Sequence, residues 1–211
     1  MTLLHHPAPD LLLGHAAGTL ARGPDLLVNA HLRACPVCRA GGRRFEAVGG
    51  ALLDALPPSE MAPDALARAL ASIERPQPPE PPERKAVPAG MDLESVLGDL
   101  KLGARLPLGP GLWMRRVLRD GPAVTYLLRS GPGRRLPMHS HTGMEYVCVL
   151  KGAFSDETGR YGPGDFAESD DTLVHSPVTD MSGECICLIA ADGPMQMKSL
   201  LGRAMQAFVG L

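Results

Sequence analysis

The stretch GRRLPMHSHTGMEYVCVLKG, residues 133–152, decides the fold of the second half of this 211-residue chain. It places His139 and His141 two positions apart, and Glu145 follows after a short turn-like segment. Residues i and i+2 of a β-strand point to the same face, so the two imidazoles are expected to point together. His175 follows after a turn-rich return. Imidazole and carboxylate groups suit zinc, manganese, iron or nickel, so the stretch predicts a metal site within β-structure.

The sequence around this stretch consists of short runs rich in β-forming residues, separated by Gly- and Pro-rich turn clusters. The clearest of these runs are WMRRVLR (113–119), AVTYLLRS (123–130), EYVCVLKG (145–152) and ECICLIAAD (184–192). Many short strands with such turns predict an all-β barrel or sandwich, which we assign to residues 93–195.

The first half of the chain has a different pattern. Apolar residues recur at helical spacing in four segments, at 9–20, 23–35, 43–56 and 64–74. These segments predict a small all-α domain over residues 1–76. The following stretch, RPQPPEPPERKAVPAG, is saturated with proline and charge and predicts an extended linker over 77–92.

The end of the chain predicts an amphipathic helix over residues 196–211. Its apolar stripe is formed by Met197, Leu201, Met205 and Phe208. The fold class is therefore α+β, with a helical domain before the linker and a β-domain after it.

A second ligand pattern lies in the predicted helical domain, in the stretch HLRACPVC at 31–38. His31 and Cys35 are four residues apart and share a helix face, and Cys38 completes a Cys-x2-Cys pair. This spacing is typical of a structural zinc site, which takes four nitrogen or sulfur ligands. The alternatives are a redox pair and two buried thiols, but a redox pair usually follows a strand in a βαβ unit, and no such unit is predicted here. On spacing alone His5, His6 and His15 remain candidates for the fourth ligand.

Composition narrows the classes of function. The formal net charge is −2 and no block of Lys and Arg stands out, which argues against direct binding of nucleic acid. No apolar run reaches the roughly 18 residues that a membrane span needs, and the start does not resemble a signal peptide. Five cysteines are an odd number and unlike a disulfide framework. We therefore expect a cytoplasmic protein.

The stretch 133–152 resembles the first cupin motif, G-x5-H-x-H-x3-E-x6-G, at every spacing. Gly164 and His175 fit the frame of the second motif, while Asp170, Thr172 and Thr179 stand where cupins usually have Pro, Gly and Asn. The resemblance implies a jelly-roll barrel for the second half. It also implies a metal held by His139, His141, Glu145 and His175.

The whole chain, including the helical half and the linker, resembles the ChrR family of cupin-containing anti-sigma factors. The resemblance implies a regulator and not an enzyme: the helical half would bind an extracytoplasmic-function sigma factor, one to one, and block its binding to core RNA polymerase. Release would follow singlet oxygen or related oxidants sensed through the cupin. The resemblance also implies two zinc sites, the first held by His6, His31, Cys35 and Cys38.

Several alternatives stay open at this point. The cupin half by itself also fits a metal-dependent enzyme of the dioxygenase type, or a small-molecule-binding regulator that contacts no sigma factor. Cys185 and Cys187 share one face of a predicted strand. They are interpreted either as two thiols packed in the core or as a redox sensor. Cys148 is expected to face away from Val147 and Val149.

Overall fold

The structure is a computed structural model that describes residues 3–73 and 93–198. The predicted linker over 77–92 and residues 199–211 of the predicted C-terminal helix lie outside the described residues. The helices are α1 (Pro9–Ala16), α2 (Arg22–Ala34), α3 (Pro36–Asp54), α4 (Ala65–Ile73) and α5 (Leu93–Leu97). The strands are β1 (Arg105–Gly109), β2 (Leu112–Asp120), β3 (Ala123–Ser130), β4 (His139–His141), β5 (Glu145–Lys151), β6 (Phe154–Asp156), β7 (Gly159–Tyr161), β8 (Phe166–Ser169), β9 (Val178–Thr179), β10 (Cys185–Ala191) and β11 (Met195–Met197).

The four helices predicted for the first half are confirmed, with two shifted boundaries, since α1 ends at Ala16, four residues before the end of its predicted segment, and α3 begins early. α3 begins at Pro36, seven residues before the predicted segment, because proline is well suited to the first turn of a helix. Cys35 ends α2 and also caps α3, since its Sγ accepts from the Cys38 amide. The Cys-x2-Cys pair therefore lies on the first turn of a helix.

From β1 onward the second half is the expected all-β domain, built from antiparallel strands, but residues 93–97 of the range assigned to that domain form the short helix α5. Six strands form the largest sheet in the order β1-β2-β3-β10-β5-β8. Two smaller sheets, β11-β4 and β7-β6-β9, complete the barrel. This arrangement places the His-x-His strand β4 and the β5 strand that begins at Glu145 around one interior.

Side chains alternate between two cores across the large sheet. Val147 and Val149 belong to the barrel interior, whereas Cys148 belongs to the core on the opposite face. The predicted alternation of Cys148 with its neighbours is confirmed, as the period-two geometry of a strand requires.

The helical half is not a separate small core. Leu27 and Val28 of α2 are fully buried and share one cluster with Leu127, Cys148 and Leu188 of the sheet. Burying side chains of this size contributes about 1.5–3 kcal/mol each. The outer face of the barrel sheet therefore supplies much of the core that four short helices would lack.

The predicted C-terminal helix is wrong at its start. Gln196 and Met197 belong to β11, which pairs with β4 in the register Met195↔His141 and Met197↔His139. Backbone pairing with β4 outweighs the helical spacing of the apolar residues there.

No helix within residues 3–73 and 93–198 is long and apolar enough to cross a membrane.

Candidate metal centres

The first group of candidate ligands gathers three segments of the helical half. His6 comes from the extended segment before α1, His31 from the last turn of α2, and the two thiols from the start of α3. Their ligand atoms all lie within 4.8 Å of one another. The group contains His6, His31, Cys35 and Cys38.

The ring of His31 is held in one orientation. Its Nδ1 lies 2.7 Å from the carbonyl oxygen of Gly164, and because a carbonyl only accepts, Nδ1 carries the proton. The other nitrogen, Nε2, is buried and has no hydrogen-bond partner among the described residues. A buried lone pair without a partner costs free energy, and a metal ion at the centre of the group removes that cost.

The distances fit a tetrahedral ion. Nδ1 of His6 lies 3.4 Å from Sγ of Cys35 and 3.4 Å from Sγ of Cys38. With ordinary zinc bond lengths, tetrahedral geometry sets nitrogen–sulfur separations of roughly 3.5 Å. Burial, together with the neighbouring Cys35 thiol, raises the pKa of Cys38 to about 12, so without a metal this thiol stays protonated at neutral pH. Binding of a metal would therefore release a proton from this residue.

The two other histidines considered for this group lie elsewhere. The ring of His5 packs on Tyr161, with centroids 4.3 Å apart. Nδ1 of His15 lies 2.7 Å from a carboxylate oxygen of Asp25. His6 is therefore the histidine that the structure brings to the thiols.

The adjacent pair His5 and His6 provides a matched test. His6→Ala is expected to lower the affinity of the helical half for zinc by at least about 100-fold, because it leaves a three-ligand site. His5→Ala removes a ring one residue away and is expected to leave zinc affinity within about 3-fold of wild type. Competition titration with a chromophoric chelator measures both. Equal losses in the two variants would contradict the assignment of His6.

The second group lies in the barrel and is buried throughout. His139 and His141 occupy β4, Glu145 begins β5, and His175 reaches the group through a bridge between its backbone and that of His139. The four ligand atoms lie within 4.8 Å of one another. Nε2 of His175 lies 3.1 Å from Nε2 of His139 and 3.2 Å from Nε2 of His141.

Hydrogen bonds on the far side of the rings direct these lone pairs inward. Nδ1 of His139 donates to the carbonyl oxygen of Pro137 at 2.8 Å, and Nδ1 of His175 donates to Asp156 at 2.9 Å. In the neutral rings, Nε2 of each then offers a lone pair to the same point. Two lone pairs about 3 Å apart repel unless a cation lies between them. An outer acceptor fixes the rings of His139 and His175, as is typical of metal-binding histidines, whereas Nδ1 of His141 is buried without a partner among the described residues.

The electrostatics of the group agree with this interpretation. Burial lowers the pKa of His139 and of His141 to about 4, so both rings are neutral at pH 7, which is the form that binds metals. Burial raises the pKa of Glu145 to about 7, and its side chain also has a hydrogen bond with Tyr126. Burial alone would raise the pKa of Asp156, but hydrogen bonds from His175 and Thr158 hold it at about 2. Asp156 therefore stays ionised and accepts from His175.

The loop of the second cupin motif is rebuilt with different residues. Where cupins usually have a Pro-x-Gly turn, Asp170 accepts from the backbone and hydroxyl of Thr172. Beyond His175, the Ser176 hydroxyl donates to the Leu136 carbonyl, and Leu136 in turn donates its amide to Pro177. These bonds hold the position of His175 without the usual turn residues.

The two cysteines of β10 lie beside the barrel group. Cys185 and Cys187 are buried, with their Sγ atoms 3.6 Å apart and no disulfide between them. Both line a cavity of about 60 Å³ that also contacts His139, Glu145 and His175. Core packing accounts for their burial, and their place on the cavity wall keeps the redox alternative open.

Sequence reasoning missed the residues that orient the ligands. Asp156, Gly164 and Pro137 each contact a candidate ligand histidine. Gly164 is the first glycine of the second cupin motif, but that motif does not predict a contact with His31, and neither Asp156 nor Pro137 is a defined position of a motif. Asp156 and Gly164 are separated from their histidines by 19 and 133 residues, so no local pattern relates them.

Comparisons with known proteins agree over both halves. The ChrR cupin-like domain family matches residues 100–196. The chain is 37% identical over 214 residues to anti-sigma-E factor ChrR of Cereibacter sphaeroides, which covers 99% of each chain. Among solved structures it is similar to the crystal structure of Rhodobacter sphaeroides SigE in complex with the anti-sigma ChrR, with a TM-score of 0.75, 36% identity, and coverage of 90% of this chain and 100% of that one. An RmlC-like cupin protein from Ralstonia eutropha gives a TM-score of 0.42 at 15% identity, covering 51% of this chain and 80% of that one.

Proposed function

The chain belongs to the ChrR family of anti-sigma factors, and on that premise we propose that it binds an extracytoplasmic-function sigma factor and blocks its access to core RNA polymerase. The observation that carries this proposal is the similarity to a relative whose complex with a sigma factor is solved, because it extends over the helical half as well as the cupin. A metal-dependent cupin enzyme would account for the barrel alone. The expected complex is one to one and cytoplasmic, since core RNA polymerase acts there.

The surface of α3, α4 and the connection between them supports this role. Eight large apolar side chains over residues 48–73 of these segments are exposed, and none of the residues of α4 is buried. We call these side chains the apolar row: Val48, Leu52, Leu53, Leu56, Met61, Leu66, Leu70 and Ile73. Exposed apolar surface on this scale is typical of a protein–protein interaction site. We assign the sigma factor to this row, because the face of α2 is already occupied by the barrel sheet.

We further propose that both ligand groups hold zinc. In the first group His6, His31, Cys35 and Cys38 would bind the ion, which fixes the junction of α2 and α3 to the segment before α1. In the second group His139, His141, Glu145 and His175 would bind it within the barrel. The nitrogen and sulfur set of the first group suits zinc in particular, and the inward lone pairs of the second suit a divalent cation.

Release of the sigma factor would follow exposure to singlet oxygen or related oxidants, sensed through the cupin. The exposed methionines of the cupin, Met138 and Met181, and the thiolates that would bind zinc in the first group support this part of the proposal, because accessible thioethers and thiolates are targets of such species.

Co-expression with the extracytoplasmic-function sigma factors of the host tests the proposal. We expect one of them to co-purify with the full chain at a one-to-one ratio and to lose transcription activity with core RNA polymerase when bound. Illumination of that complex with a photosensitiser is expected to restore transcription, whereas illumination without the sensitiser is the control. Failure of every sigma factor to bind the metal-loaded chain would contradict the proposal.

A further inference from the structure

The extended segment that carries His6 is bound to the cupin. The amides of Leu4 and His5 both donate to one carboxylate oxygen of Asp165, at 3.0 and 3.1 Å. The amide of Phe166 donates to the carbonyl of His5 at 3.2 Å. The other oxygen of Asp165 accepts from the amide of Gly162 and closes the turn before β8. The backbone on the N-terminal side of His6 is therefore positioned by a cupin turn and not by the helices.

The residue before Asp165 contacts the other histidine of the same group. The carbonyl of Gly164 accepts from Nδ1 of His31, which directs Nε2 of that ring toward the thiols. Gly164 has a φ of 91°, and a Cβ at this position would lie 3.0 Å from Cβ of Ala34 and 2.9 Å from a methyl group of Leu3. Only glycine allows the turn this conformation and this close approach to the helical half.

Two consecutive cupin residues thus orient two candidate ligands that are 25 residues apart in the helical half. We propose that the Gly164–Asp165 turn is the outer shell of the first metal group, so that retention of metal by the helical half depends on the docked cupin. The inference rests on one part of the proposed function, namely that the first group holds a metal ion.

The position of the turn explains how a change in the barrel could affect metal binding in the helical half. Asp165 leads directly into β8, and β8 pairs with β5 in the register Glu145↔Ser169 and Cys148↔Phe166. Glu145 belongs to the barrel group, so one pair of strands joins the two groups. A change in the barrel that moves β8 would move the acceptors of both His31 and the segment of His6. Loosened ligands exchange their metal faster.

Cobalt distinguishes the two groups experimentally. Only the first group contains cysteines, so only it can give a sulfur-to-cobalt charge-transfer band when the full chain is loaded with Co²⁺. The rate at which this band decays after excess chelator is added measures retention by the first group alone. We expect Asp165→Ala to raise this rate about 10- to 100-fold, as is typical for the loss of an outer-shell partner. Asp171→Ala, at an exposed carboxylate beyond the end of β8, is the matched control and is expected to keep the wild-type rate.

A second variant separates this role from a general weakening of the cupin. Leu4→Pro removes one of the two amide donors to Asp165, leaves the cupin sequence intact and changes a side chain that is 74% exposed. We expect it to accelerate the decay severalfold. A wild-type rate in Leu4→Pro, whatever Asp165→Ala does, would overturn the inference. Absence of the band in the wild-type chain would instead contradict the proposed metal site.

Discussion

Replacing Cys35 and Cys38 together by serine is expected to abolish both zinc binding in the helical half and inhibition of the sigma factor. The two thiols supply half of the first ligand group, and serine hydroxyls are poor substitutes for thiolates on zinc. A structural zinc contributes on the order of 10 kcal/mol to the folding of a small domain. Its loss should free the His6 segment and the start of α3, and the apolar row would lose its fixed arrangement.

Three measurements on this variant check the expectation. Metal content should fall from two ions per chain to one, hydrogen exchange should accelerate in α1 and α3, and transcription in the presence of the sigma factor should return to the uninhibited level. Cys148→Ala is the control, because this buried thiol belongs to neither ligand group. The Cys148→Ala variant should keep both metal ions. A double variant that lacks the first metal and still inhibits at wild-type potency would contradict the structural role of zinc.

Placing charge on the apolar row is expected to abolish sigma binding without disturbing the fold. Leu52 of α3 is 67% exposed and Leu70 of α4 is 54% exposed, so Leu52→Glu with Leu70→Glu removes little internal packing. Exposed substitutions of this kind usually change the free energy of unfolding by less than about 0.5 kcal/mol. At a binding interface, two buried leucines replaced by carboxylates should weaken the affinity for the sigma factor by about 100-fold or more.

Titration calorimetry with the purified sigma factor measures the effect, and metal content and melting temperature report on the fold. Met181→Glu changes an apolar side chain that is 81% exposed on the cupin, and it should leave affinity unchanged. If the double variant bound as tightly as wild type, the sigma factor would have to dock elsewhere. If Met181→Glu weakened binding equally, charge and not the apolar row would explain the loss.

These two predictions separate the contribution of the first metal ion to sigma binding from the contribution of the apolar row. The cysteine variant should lose both zinc and binding, whereas the leucine variant should lose binding alone. The same contrast distinguishes a regulator from a cupin enzyme, because neither change touches the barrel group around His139.

Local patterns in the sequence were sufficient to predict most of the two ligand groups. His139, His141 and Glu145 lie within seven residues, and strand alternation followed by a short turn is enough to bring them together. Cys35 and Cys38 lie on the first turn of α3, where a spacing of three places two side chains side by side. The alternation of Cys148 with Val147 and Val149 follows from the same strand periodicity. Each of these features depends on backbone geometry over a few residues.

Only the tertiary structure decided the features that depend on distant segments. Which of the adjacent histidines approaches the thiols follows from amide bonds to Asp165, 160 and 161 residues away, and from the packing of the His5 ring on Tyr161, whereas the sequence pointed to His6 only through the family resemblance. The start of the predicted C-terminal helix became a strand because β4 offered an edge to pair with. The docking of α2 on the barrel sheet joined two predicted domains into one core. The spacing of apolar residues in the sequence shows which face of a helix or strand is apolar. Which other element packs on that face depends on the fold of the whole chain.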